Sequence, residues 1–201
     1  MKIGIIGYIL NPKSGARAAI DLAMSLKRLG HEIFFYAYSI KKDPETIHAF
    51  KKAGIKLFLI KKSEIPIFNS IVDFRNLFTL LKRSRLDAVN THIPLSLFLA
   101  PWVAGLPTVL SYHGTQFDVV DERLIEKSPI TDAVNAILNV VIYLKTLLPV
   151  KLSTKVVGIS KFATREVKRL YKRDAVTIYN GNAPEQFLTK GLSPLPQSNE
   201  V

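Results

Sequence analysis

The residues best suited to chemistry in this chain are two histidines, each at the end of an apolar run. His92 lies in Thr91-His92-Ile93-Pro94, after Leu86–Asn90. His113 lies in Tyr112-His113-Gly114, after Pro107–Ser111. Near neutral pH an imidazole can hydrogen-bond a sugar hydroxyl or a phosphate. Gly114 beside it lets the backbone approach a ligand closely. For either histidine the alternative is a structural one, tying down its own loop. A metal would need a third ligand, and no His, Asp or Glu cluster has ligand spacing, so no metal is expected. His31 follows a glycine and His48 falls in a helical pattern, so both are expected at the surface. With no cysteine, the chain excludes disulfides, thiolate zinc sites and thiolate nucleophiles, and is compatible with a reducing cytoplasm.

These residues have to be positioned by a repeating unit. Ile3, Ile5 and Ile6 form a short apolar run that reads as a strand buried on both faces. Residues Tyr8–Gly15 read as a loop, containing Asn11 and Pro12 and closing on Gly15. From Ala16 the apolar residues Ala19, Leu22, Ala23, Leu26 and Leu29 recur at helical spacing until Gly30 stops them. A strand at Ile33–Tyr38 completes a βαβ unit. Helices at Asp43–Ala53, Asn69–Arg83, Pro94–Ala104 and Lys161–Tyr171 then alternate with strands at Ile55–Ile60, Leu86–Asn90, Pro107–Ser111, Lys155–Ile159 and Ala175–Tyr179. The fold class is α/β: a Rossmann-like, doubly wound, mostly parallel sheet of about seven strands. Ligands of such sheets sit beyond the carboxyl ends of the strands. The loops to inspect are therefore Tyr8–Gly15, Thr91–Pro94, Tyr112–Asp118, Ser160–Lys161 and Asn180–Asn182.

The 201 residues suit one large domain, with 48% apolar and 22% charged residues. One Lys and then a strand open the chain, which is not a signal peptide pattern. The net charge of +12 fits a solvated basic surface or a face toward anionic lipid. No aromatic residues interleave with the short basic clusters, so nucleic acid is not an expected partner. Asp121–Val150 interrupts the alternation. Asn135, Asn139, Lys145 and Pro149 break its apolar stretch, so it reads as a helix packed over the sheet edge or on a partner domain, or else as one dipping into the membrane interface, and not as a membrane span. Residues 191–201 have linker composition.

Five segments, in order, resemble the N-terminal half of a family-4 glycosyltransferase with GT-B architecture. They are the opening strand, loop and helix that end in Leu29-Gly30-His31-Glu32; Asp87-Ala88-Val89-Asn90-Thr91-His92; Val109-Leu110-Ser111-Tyr112-His113-Gly114; Lys155-Val156-Val157-Gly158-Ile159-Ser160; and Ile178-Tyr179-Asn180-Gly181 followed by Phe187. The resemblance implies an acceptor-binding Rossmann-like domain over 1–187 and a linker over 188–201 toward a C-terminal donor-binding domain, in cis or as a partner chain. It implies a retaining enzyme that moves a sugar from a nucleotide-sugar co-substrate to a sugar or lipid acceptor, with no cofactor. His113 would be the catalytic position beside the reacting sugar. Ser14 and Gly15 would lie near the donor diphosphate, His92 and Asp118 on the acceptor side, and Gly114 would be a further substrate contact beside His113. Ser160 and Lys161 are further contact candidates. The family's pair of glutamates eight positions apart belongs to its donor-binding half, and no two glutamates here have that spacing. The isolated chain is accordingly expected to be inactive, and to be cytoplasmic or peripheral at the inner membrane face.

Two other readings start from the same residues. Asn11-Pro12-Lys13-Ser14-Gly15 resembles the opening of lipid kinases, although no glycine-rich nucleotide loop follows it. A stand-alone flavodoxin-like module that binds an anionic ligand or a protein partner is the non-enzymatic alternative.

Overall fold

The computed structural model describes residues 1–7, 10, 16–38, 43–60, 69–92, 95–114, 143 and 146–180. The strands are β1 (Lys2–Ile6), β2 (Glu32–Tyr38), β3 (Lys56–Ile60), β4 (Ala88–Thr91), β5 (Thr108–Tyr112), β6 (Lys155–Gly158) and β7 (Val176–Thr177). The helices are α1 (Arg17–Arg28), α2 (Pro44–Ala53), α3 (Asn69–Ser84), α4 (Leu95–Val103), α5 (146–152) and α6 (Lys161–Tyr171). All seven strands form one parallel sheet in the order β3-β2-β1-β4-β5-β6-β7. The expected α/β, doubly wound, Rossmann-like sheet is the observed one.

Strand alternation explains why helices cover both faces. Ile5, Ile33, Phe35 and Ala37 point one way and form a core with Ala19, Ile20 and Ala23 of α1 and Phe50 of α2. Ile6, Phe34 and Tyr36 point the other way and pack with Leu77 and Leu81 of α3 and Ala100 of α4. A third core joins Leu110, Tyr112 and Val156 to Val150 of α5 and to Ala163, Val167 and Tyr171 of α6. Strands buried on both faces must be nearly continuous in apolar residues, as these are.

The helix ends follow local chemistry. Gly30 takes φ +86°, its amide bonds Lys27 and the His31 amide reaches Leu26, closing α1 with a glycine cap. Asp43 caps α2: its carboxylate accepts from the Thr46 amide at 2.9 Å and the Thr46 hydroxyl at 2.6 Å.

Several boundaries depart from the sequence reading by a residue or two. β4 starts at Ala88, because the Asp87 carboxylate turns to accept the Lys2 amide at 2.7 Å. Thr91 and Tyr112 lie inside β4 and β5, where ladder bonds continue, and not in the loops. β7 is only two residues long: Ile178 still bonds the Gly158 carbonyl, but Ile178 and Tyr179 are exposed at the sheet's edge. Of the segment 121–150, residues 146–150 belong to α5 and the rest, apart from Tyr143, lies outside the described residues. Among the described residues no helix is long and apolar enough to cross a membrane.

Candidate functional site

The strand order reverses between β1 and β4. In a sheet of this kind the crevice outside the carboxyl ends at that reversal is where ligands sit. His92 stands there: its amide bonds the Ile6 carbonyl at 3.2 Å, extending the β1–β4 pairing by one residue. His113 directly follows the neighbouring strand β5.

The two imidazoles meet. His92 Nδ1 lies 2.9 Å from His113 Nε2, with ring centroids 5.2 Å apart and planes tilted by 53°. The reason is the two-residue period of a strand. Asn90 and His92 share one face of β4, and Ser111 and His113 share the same face of β5. That face therefore carries two cross-strand polar pairs. The Asn90 side-chain amide donates to the Ser111 hydroxyl at 3.0 Å, and the histidine pair lies one step further out, at the tip. His92 is partly buried and its Nε2 is fully covered, with no partner among the described residues. His113 is exposed. Burial, and then the charge that His113 would carry, push His92 down to about 3. Burial also lowers His113. Both rings are neutral near pH 7.

Gly114 follows in a left-handed conformation, φ +105°, that an L side chain rarely adopts. A Cβ there would lie 3.7 Å from the Glu166 carboxylate, so this buried acid of α6 sits under the turn. The Tyr112 hydroxyl donates to Glu166 Oε2 at 3.0 Å. Burial first, then the neighbouring Tyr171 and Glu166, hold that hydroxyl protonated far above its usual range. Tyr171 packs edge-on against Tyr112 and stacks on Tyr143. The residue after Tyr112 is thus aimed outward by a strand that is anchored on its other face.

The sequence-derived candidates divide as follows. His92, His113 and Gly114 come together. Ser160 and Lys161 lie at the same end of the sheet, past β6. Ser160 caps α6, its hydroxyl accepting from the Ala163 amide at 3.1 Å, and Lys161 is exposed. Ser14, Gly15 and Asp118 lie outside the described residues. At the start of α1, Arg17 bonds Asp21 through Nε at 3.3 Å, while its covered Nη2 has no partner among the described residues. Sequence reasoning missed Asn90 and Ser111 as a pair, and Glu166 altogether. The i, i+2 recurrence of polar residues inside two apolar strands was the available signal for the first. For Glu166, whose partner is 54 positions away, there was none.

The Glycosyltransferase Family 4 sequence profile matches residues 15–186. The chain belongs to that family. Comparison with curated protein sequences gives no match. Among solved structures, a glycosyltransferase from Rickettsia africae is similar at TM-score 0.60 and 20% identity, over 96% of this chain and 46% of that one. Anabaena HepE in complex with UDP and glucose aligns at TM-score 0.60 and 13% identity, over 92% of this chain and 46% of that one. A UDP-GlcNAc 2-epimerase from Methanocaldococcus jannaschii aligns at 0.55 and 14%, over 90% and 46%. At these identities the likeness establishes the fold alone, which transferases and an epimerase share. This family-4 chain spans about half the length of each of these structures.

Proposed function

We propose that this chain is the acceptor-binding half of a retaining glycosyltransferase that moves a sugar from a nucleotide-sugar to an acceptor hydroxyl. The observation that carries the reading is the histidine pair at the strand-order reversal of a family-4 domain. His113 is exposed at the tip and suits a contact with the transferred sugar. His92 stands behind it and would face the acceptor, a role the sequence resemblance extends to Asp118. Ser14 and Gly15 would serve the leaving diphosphate, where backbone amides at a helix start favour anionic oxygens, and Gly114 would let the backbone approach the substrate beside His113. Lys161 is a candidate contact from the start of α6, and Ser160 contributes through the helix it caps.

In this reading residues 1–187 form one domain and 188–201 lead to a donor-binding domain, in cis or on a partner chain. Turnover requires that second half, and no metal or cofactor takes part. The structures it aligns with are about twice as long, which supports the division. The basic surface fits an enzyme held at the cytoplasmic face of an anionic membrane, where a lipid acceptor would be presented.

The test is to supply the donor-binding half and screen nucleotide-sugars for transfer to acceptor sugars and lipids. His113→Ala should lower transfer by about 100-fold, the scale for losing one well-placed polar contact in a transition state. Full transfer in that variant would remove His113 from the mechanism.

A further inference from the structure

One hydrogen lies between His92 Nδ1 and His113 Nε2, and where it belongs can be worked out from the far side of the pair. If His92 Nδ1 holds it, His92 Nε2 is a bare lone pair. If His113 Nε2 holds it, neutral His92 must carry its own hydrogen on Nε2. A positively charged His92 has hydrogens on both nitrogens. A positively charged His113 donates through Nε2 and again moves the His92 hydrogen to Nε2. Every arrangement but the first therefore places an N–H at His92 Nε2. That atom is fully covered and finds no acceptor among the described residues. A buried N–H without an acceptor is among the rarest defects in folded proteins, and an unmet acceptor is tolerated better.

We infer that His92 is a positioning residue: its Nδ1–H donates to His113 Nε2 and locks His113 in the Nδ1–H tautomer. The exposed ring at the tip of β5 then offers a neutral N–H donor, and its only lone pair is engaged by His92. It can bind an acceptor oxygen, such as a sugar hydroxyl or a phosphate oxygen. It cannot take a proton without first breaking the bond to His92, so its part in the reaction is to hold and orient, not to act as a base. The supporting frame is rigid. Asn90 and Ser111 pair directly behind the rings on the same face, and Tyr112 is anchored to Glu166 on the other. The tautomer stands on this geometry alone. Only its use toward a sugar or phosphate oxygen rests on the function proposed above.

Nitrogen-15 two-bond correlation spectra of the 201-residue chain at neutral pH decide it, without any substrate. His113 should show a protonated Nδ1 and a bare Nε2. His92→Asn, whose side-chain amide can place an N–H where Nδ1 was, should keep that pattern. His92→Phe should release His113 to the Nε2–H form that free histidine favours. A wild-type His113 protonated on Nε2 would overturn the lock, even if the Phe variant failed to fold, and so would a folded Phe variant whose His113 is unchanged. A chain that shows the tautomer yet transfers nothing when given its donor half would sink the transferase reading and leave the lock intact.

Discussion

The histidine pair has an energetic consequence that can be measured apart from any reaction. His92 is held down to about 3, against 6.5 when unperturbed. Between those values the unfolded chain binds a proton that the folded chain excludes. Stability is therefore untouched above pH 6.5 and falls as pH drops from 6.5 toward 3. At pH 5 the accumulated gap is roughly 1.5 units, or about 2 kcal/mol. Urea denaturation at pH 7 and pH 5 should show the wild type losing about 2 kcal/mol more than His92→Asn, which has nothing to titrate there. Equal losses would mean that His92 is solvated. Both histidines were legible in the sequence as polar residues closing apolar runs, because type and place along the chain sufficed. Their contact was not, since it depends on how β4 and β5 lie in register. Glu166 was less legible still: a carboxylate three residues after the buried Ala163 of a basic helix looks solvated until Tyr112 is brought to it across the fold.

Elements were legible where a local rule decides them. Gly30 and Gly54 both take positive φ and end α1 and α2, and Lys161–Tyr171 is helical over the range that its spacing indicated. Strand ends were misplaced by a residue or two because ladder bonds, not composition, set them. One glycine shows what periodicity leaves out. Gly158, the last residue of β6, is packed directly against α6: a Cβ there would meet the Thr164 backbone amide nitrogen at 2.7 Å and its Cα at 3.0 Å. Backbone cannot swing aside as a side-chain tip can. Gly158→Ala should therefore push the start of α6 outward and cost about 1–3 kcal/mol, the range for overpacking. Chemical denaturation measures it, and a loss below about 0.5 kcal/mol would show that the helix accommodates the methyl group. The displacement would also reach Glu166, on the next turn of α6, and through Tyr112 the strand that ends in His113.

At the scale of the whole molecule the question is where the net charge of +12 is displayed. α6 gathers part of it. Ala163, Glu166, Val167 and Tyr171 are buried against the sheet, while Lys161, Arg165, Lys168 and Lys172 lie exposed. Spacings of four and three residues set Lys161, Arg165 and Lys168 in one stripe, and Lys172 follows as the left-handed cap of the helix. Phe162, 59% exposed, stands beside the stripe at the helix start. Basic residues near an anionic bilayer each contribute about 1 kcal/mol, and the attraction fades within a Debye length of about 8 Å at physiological salt. Lys168 also pairs with the exposed Asp174 at 3.1 Å, and the cluster as a whole suits weak, reversible attachment. The 201-residue chain should therefore sediment with anionic vesicles, not with neutral ones, and should release as salt is raised. Replacing Arg165, Lys168 and Lys172 by glutamate leaves the buried face of α6 unchanged, so the fold should survive, and it should abolish attachment. Retention on anionic vesicles by that variant would move the contact elsewhere on the basic surface, and no attachment of the wild type to either vesicle would remove the membrane from the proposed function.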